Sequence, residues 1–252
     1  MDLFSIEGKT AFVTGGSRGI GLMIARGFVE AGVKVYISSR SAEACEAVAN
    51  ELGEPCVAIP ADLSKMDEIE RVAGVISATE PALDILVNNA GAAWGAPFDE
   101  YPESGYDKVM DLNVKSIFFL TQNLLPLLRK AGSAQDPARV INIGSIDGLR
   151  VPWFENFAYS ASKAAVHMLT RHLAHVLVRD NINVNAIAPG LFASKMTKFM
   201  FDTAEEQMMA SIPMRRAGRP DDIAGTAIYL ASRAGAYLTG AIIPVDGGVS
   251  TR

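Results

Sequence analysis

Thr14-Gly15-Gly16-Ser17-Arg18-Gly19-Ile20-Gly21 continues the apolar run Thr10–Thr14 and leads into a stretch of helical periodicity at 20–31. Glycine reaches positive φ angles and lets a ligand come close to the backbone. A helix starting here would turn unpaired N–H groups and the positive end of its dipole toward an anion such as a pyrophosphate. A glycine-rich turn is a weak signal by itself. Placed between the first strand and first helix of a βαβ pattern, it is much stronger. Its spacing, G-x-x-x-G-x-G, is wider in the first gap than the common G-x-G-x-x-G fingerprint.

The remainder of the chain repeats the same alternation. Further apolar runs lie at 33–38, 56–60, 83–88, 139–145, 182–188 and 241–245, rich in Val and Ile and without strict alternation. That composition suits strands covered on both faces. Helical patterns fill most intervals, the longest at 104–130. The order predicts an α/β fold: a single-domain, Rossmann-like, doubly wound sheet of about seven parallel strands with helices on both faces. No repeat or linker divides residues 1–252, so one dinucleotide-binding and catalytic domain is expected. Residues 131–137 read as a surface loop, and 191–218, with five methionines, as a substrate lid.

Composition narrows the function. A chain of 252 residues with 49% hydrophobic and 20% charged residues has the make-up of a soluble globular enzyme. A net charge of −5 argues against broad nucleic-acid or anionic-membrane binding. The N-terminal residues show no basic segment followed by an apolar run, and no stretch reads as a membrane span. Cys45 and Cys56 form neither a disulfide framework nor a metal motif, which fits free thiols in a reducing cytoplasm. His167, His172 and His175 lie close together, but two ligands at i,i+3 without a third make a poor metal site. No metal is expected, and structural or interface roles suit these histidines better.

Cofactor chemistry can be read at the second strand. An NAD site usually places Asp or Glu about 20 residues beyond the glycine turn, to accept from the ribose 2′-OH. No acid stands at 38–41. Arg40 offers instead a fork suited to a 2′-phosphate, and Arg18 approaches from the turn. The expected cofactor is NADP(H).

Tyr159 and Lys163 are four residues apart in a helical run, so they share one face. An ordinary phenol has a pKa near ~10, and an adjacent ammonium favours the phenolate. Together these motifs resemble the short-chain dehydrogenase/reductase family: TGGSRGIG at 14–21, Asn88-Asn89-Ala90-Gly91, Ser145 with Tyr159-x-x-x-Lys163, Pro189-Gly190, and Asp246-Gly247-Gly248. The resemblance covers essentially the whole chain.

It implies a catalytic set of Asn113, Ser145, Tyr159 and Lys163. Tyr159 would be the proton donor in carbonyl reduction, and Ser145 would hold the substrate oxygen. Lys163 would also bind the nicotinamide ribose, and Asn113 would anchor a water leading from Lys163 to solvent. Gly15, Ser17, Arg18, Gly19, Ile20 and Gly21 would cradle the phosphates, and Arg40 the 2′-phosphate. Asp62, beside Leu63, would meet the adenine amino group. Asn88, Ala90 and Gly91 would form the floor under the adenosine and the nicotinamide ribose. Pro189, Gly190 and Leu191 would pass the nicotinamide, with Ser194 bonding its carboxamide where relatives often have Thr.

For the substrate pocket, Trp94, Asp147, Trp153, Phe154, Phe192 and Met196 are the candidate walls. Phe199 and Met200 join them, and Trp153, Phe154, Phe192, Met196, Phe199 and Met200 suit an apolar or acyl substrate. Asp147 stands where many relatives have a small apolar residue. The nearest likeness within the family is to 3-oxoacyl-[acyl-carrier-protein] reductases of the rhamnolipid-pathway branch. This implies a small-molecule carbonyl or alcohol substrate carried on acyl-carrier protein or coenzyme A. Sugar, polyol or small-ketone dehydrogenases share the frame, and a non-catalytic dinucleotide-binding regulator is the reading from another class. Relatives commonly form tetramers, so the resemblance implies a homotetramer, with a dimer as the alternative.

Overall fold

Alternate residues of each central strand are apolar on both sides of the pleat, so each strand needs cover above and below. In the computed structural model, which describes residues 2–193, 206 and 208–251, seven such strands form one parallel sheet. The elements in chain order are β1 (Thr10–Thr14), α1 (Gly19–Glu30), β2 (Lys34–Ser38), α2 (Ala42–Leu52), β3 (Cys56–Ala58), α3 (Met66–Thr79) and β4 (Ile85–Asn88). They continue with α4 (Glu103–Met110), α5 (Ser116–Ala131), β5 (Ala138–Ile143), α6 (Phe157–Leu177), β6 (Ile182–Pro189), α7 (Pro220–Ala231) and β7 (Ile242–Val245). The strand order is β3-β2-β1-β4-β5-β6-β7, every neighbouring pair parallel.

The period of two sorts the strand residues into two cores. Val13, Ile37, Val87 and Ile141 face Ile24 and Phe28 of α1, Cys45 and Val48 of α2, and Ile223 and Leu230 of α7. Phe12, Tyr36, Leu86, Val140 and Val184 face Ile69 and Ile76 of α3, Leu120 and Leu124 of α5, and Leu177 of α6. Cys45 and Cys56 are both buried and free, and burial pushes the Cys56 thiol up to about 11.

Two departures from the sequence reading concern the site. The third and fifth strands end at Ala58 and Ile143, short of the expected 60 and 145. Ser145 leaves the ladder in an extended conformation and opens a 3₁₀ turn, Ile146–Gly148. The expected helix 104–130 is interrupted by a π-helical turn, Asp111–Lys115, with fully buried Asn113 at its centre. The wider turn is fastened by the Asn113 side chain, whose Oδ1 accepts from Ala92 N at 2.8 Å. Its Nδ2 donates to Ala92 O and Ser162 Oγ, both at 2.9 Å. Such π turns recur at functional sites.

Candidate active site

The strand order reverses between β1 and β4, where helices depart to opposite faces and leave a crevice beyond the carboxyl ends. A cleft of about 710 Å³ occupies this position. Gly15 after β1, Asn89 after β4, Gly144 after β5 and Pro189 at the end of β6 all line it.

At one end lies the glycine turn. Gly15 has φ +66°, and a Cβ there would stand 2.8 Å from Asn89 Nδ2 and 3.1 Å from Ala90 Cα, so only glycine fits. Asn89 Nδ2 donates to Thr14 O at 2.8 Å and Gly15 O at 3.3 Å, while Thr14 Oγ1 accepts from Asn89 N at 2.8 Å and Ala90 N at 2.9 Å. These bonds hold the turn rigidly against the end of β4. Helix α1 starts without a side-chain cap and without an acid in its first turn. Its leading N–H groups and dipole therefore face the cleft uncompensated by side chains, the arrangement an anion requires.

Ser17, Arg18, Gly19 and Ile20 line this end, together with Ser38, Ser39, Arg40 and Ser41 beyond β2. Ser38 Oγ is buried and has no hydrogen-bond partner among the described residues. Two arginines, an unpaired serine hydroxyl and no carboxylate fit a ribose 2′-phosphate better than a free 2′-hydroxyl.

At the other end, Ser145, Tyr159 and Lys163 line the same cleft. Lys163 is 5% exposed, and its Nζ donates to Ile143 O at 2.8 Å. Burial lowers its pKa from the usual 10.5 to about 8. Burial also raises the Tyr159 phenol to about 12, with the Ser145 hydroxyl working against that rise and the Asp147 carboxylate adding to it. The sequence reading expected the ammonium to lower the phenol. In the folded protein the phenol is instead raised, because burial removes the water that would solvate the phenolate.

The remaining expected residues divide. Ala90, Gly91, Pro189 and Gly190 line the cleft. A Cβ on Gly190 would come 2.7 Å from Asp246 Cα, so the Pro189-Gly190 and Asp246-Gly247-Gly248 motifs rest on each other. Gly21 is buried behind the turn. Leu63 lines the cleft but Asp62 does not, its Oδ1 accepting from Ser64 N and Oγ.

Asn88 is turned into the interior, donating to Asn142 Oδ1 at 2.9 Å and Thr121 Oγ1 at 3.2 Å. Asn89, one residue on, is the neighbour that lines the cleft. Asn113 lies behind the wall, its Oδ1 3.2 Å from the place a Gly91 Cβ would occupy. Asn89, Thr14, Ser38 and His167 were not among the expected site residues. A period-two count through β4 puts Asn88 and Asn89 on opposite faces, but does not say which face is open.

On the substrate side, Phe192 lines the cleft, and with Leu191 it also lines an adjoining hollow of about 320 Å³. Asp147 N–H donates to Ser145 Oγ at 3.1 Å, and burial holds the Asp147 carboxyl above its usual range. Trp153 is 62% and Phe154 51% exposed, with the Arg150 guanidinium 4.6 Å over the Trp153 ring. Trp94 packs on Gly105 beneath Lys108 and does not line the cleft. Ser194, Met196, Phe199 and Met200 lie outside the described residues. Among the described residues no group of three His, Cys, Asp or Glu could hold a metal, and no helix is long and apolar enough to cross a membrane.

A family model described as Enoyl-(Acyl carrier protein) reductase matches residues 15–250. The Rhamnolipids biosynthesis 3-oxoacyl-[acyl-carrier-protein] reductase of Pseudomonas aeruginosa is 53% identical over 249 residues, 97% of each chain. The chain belongs to the short-chain dehydrogenase/reductase family. Among solved members of the family, the Pseudomonas aeruginosa RhlG/NADP active-site complex superposes with a TM-score of 0.96 at 52% identity, covering 99% of both chains. Galactitol 2-dehydrogenase (L-tagatose-forming) of Cereibacter sphaeroides is 38% identical, covering 98% of this chain and 96% of that protein. The protein is thus an oxidoreductase of the short-chain dehydrogenase/reductase type, and both acyl and polyol chemistry occur among its relatives.

Proposed function

We propose that the protein reduces the keto group of a 3-oxoacyl thioester to a secondary alcohol, using NADPH. One observation carries the reading: a single cleft joins Arg18 and Arg40, with no acid beside them, to Ser145, Tyr159 and Lys163. When bound there, NADPH would supply the hydride for the carbonyl carbon.

The chain's own residues do the rest. Tyr159, protonated throughout the neutral range because burial holds its pKa at about 12, delivers a proton to the carbonyl oxygen. Ser145 donates a hydrogen bond to that oxygen as charge builds on it. Lys163 holds the nicotinamide ribose and keeps a positive charge beside the reacting oxygen. Asn113 fixes the Gly91-Ala92 segment and Ser162, and through them the wall behind Lys163.

The exposed apolar side chains of Val151, Trp153 and Phe154 support an acyl substrate, although they do not line the cleft; residues 194–205 and 207 of the stretch expected to form a lid lie outside the described residues. The thioester carrier would be acyl-carrier protein or coenzyme A. Reduction of a polyol-derived ketone is the second reading, favoured by the 38% identity to a galactitol dehydrogenase. Exposed Tyr106 on α4, Phe118 on α5 and Met168 on α6 support assembly as a homotetramer. Two buried free thiols suit the cytoplasm.

The test is an NADPH-oxidation screen across acetoacetyl and longer 3-oxoacyl thioesters, diketones and keto sugars. Turnover rising with acyl length is expected. Activity confined to sugars would overturn the substrate class.

A further inference from the structure

Helix α6 presents three polar side chains on one face at successive turns: Tyr159, Lys163 and His167. The first two line the cleft, and the third has no part in the chemistry above. His167 is 4% exposed, and neither ring nitrogen has a hydrogen-bond partner among the described residues. The Gly148 backbone pulls weakly on the ring, short of a well-formed hydrogen bond, and burial holds the imidazole neutral with a pKa of about 4. Burying two unpaired polar atoms is costly, and an aliphatic residue would avoid that cost. Something other than solvation therefore accounts for an imidazole here.

The ring's neighbours supply the reason. A Cβ on Gly144 would come 2.8 Å from His167 Cδ2, and one on Gly148 would come 2.9 Å from Cε1. The imidazole is wedged against two glycines, and these bracket Ser145-Ile146-Asp147. That short turn is closed by Gly148 N–H donating to Ser145 O at 3.0 Å and Asp147 N–H donating to Ser145 Oγ at 3.1 Å. A flat ring lets both glycine Cα atoms approach the helix, whereas a tetrahedral Cγ would push the turn away. Gly148 also rests on the α6 backbone at Lys163 and Ala164, so the ring's own share of the support falls on the Gly144 side, and movement of the turn there carries Ser145 Oγ away from Tyr159.

We infer that His167 is a positioning residue for the reduction: its planar ring, packed against Gly144 and Gly148, sets the distance between the Ser145 turn and the helix bearing Tyr159 and Lys163. Its bearing on turnover rests on the carbonyl-reduction reading, while the position of the turn does not.

The full-length protein carrying ¹³C- and ¹⁵N-labels tests both parts. In the wild type the His167 Cε1–H shift stays constant between pH 8 and pH 5. A midpoint near the ordinary ~6.5 would mean a solvated ring and would overturn the inference. His167→Leu should displace the amide resonances of 144–148. It should also lower kcat at least tenfold on whichever carbonyl the wild type reduces best, with KM and the Kd for NADPH within twofold. His167→Asn, of similar size to Leu but planar beyond Cβ, should recover kcat to within threefold of wild type. Equal losses in Leu and Asn, unmoved 144–148 amides, or a parallel fall in NADPH affinity would overturn it. Should the Leu variant fail to fold, the wild-type titration and the Asn variant still decide. A wild type that turns over no carbonyl at all would defeat the proposed function, yet the titration and the amide shifts would still report on the wedge.

Discussion

The Lys163 ammonium stands over the Tyr159 ring, 5.5 Å from its centroid, while donating to the Ile143 carbonyl at 2.8 Å. The cation is thereby tied to the end of β5, one residue before Gly144 and two before Ser145. Helix α6 and the sheet are joined at the point where the proposed chemistry would occur.

The pH dependence follows from the two shifted groups. With the proposed roles, reduction would need protonated Tyr159 and charged Lys163, so its rate should hold through neutral pH and fall above about 8 as Lys163 deprotonates. Oxidation of the alcohol needs the phenolate. With the phenol at about 12, that direction should climb with pH across the neutral and mildly alkaline range. Asp147→Asn removes a charge that raises the phenol's pKa, so oxidation at fixed neutral pH should rise severalfold. Initial rates in both directions between pH 6 and 10 check this. An unchanged oxidation profile in Asp147→Asn would remove Asp147 from the account.

Lys163 should cost the fold stability. Its folded pKa is about 8 against 10.5 unfolded. Below about 8 both states hold the proton and the penalty is fully present. Between the two values only the unfolded chain stays protonated, so stability rises with pH. The penalty at neutral pH is about 3 kcal/mol, and losing the hydrogen bond to Ile143 would offset about 1 kcal/mol of any gain. Lys163→Met should therefore be roughly 2 kcal/mol more stable than wild type at pH 7, with the difference shrinking toward pH 10, while turnover is lost. Urea melts at both pH values read this directly.

Arg40→Asp should invert cofactor choice. Replacing a guanidinium that can pair with the 2′-phosphate by a carboxylate that repels it should shift the NADPH-to-NADH ratio of kcat/KM on the order of a hundredfold. An unchanged ratio would reassign the 2′-phosphate contact to Arg18 alone.

Tyr159→Phe should lower turnover by at least about a hundredfold, the usual worth of a positioned general acid. NADPH affinity should stay within twofold, measured by quenching of protein fluorescence. Retained turnover would exclude Tyr159 as the proton donor.

Much of this site was legible in the residues. The turn at 14–21 needs positive φ at Gly15 and Gly19, and both adopt it. Tyr159 and Lys163 share a face because an α-helix repeats every 3.6 residues. The absence of an acid at 38–41 is a fact of composition. Each of these rests on geometry that the local sequence imposes.

What the residues left open depended on which surface packs where. Asn88 and Asn89 are equivalent as text, yet β5 lies against one and the cleft against the other. His167, His172 and His175 read as one cluster. The fold buries the first against Gly144 and Gly148 and leaves the other two exposed. The Tyr159–Lys163 pair was visible by spacing, but its ionisation was not, because desolvation depends on every neighbour that excludes water. Local sequence determined the strands, the glycine turn and the shared helix face, since backbone geometry acts over a few residues. Tertiary structure alone decided which side chains meet, which stay dry and where the protons sit, since burial sums contributions from residues far apart in the chain.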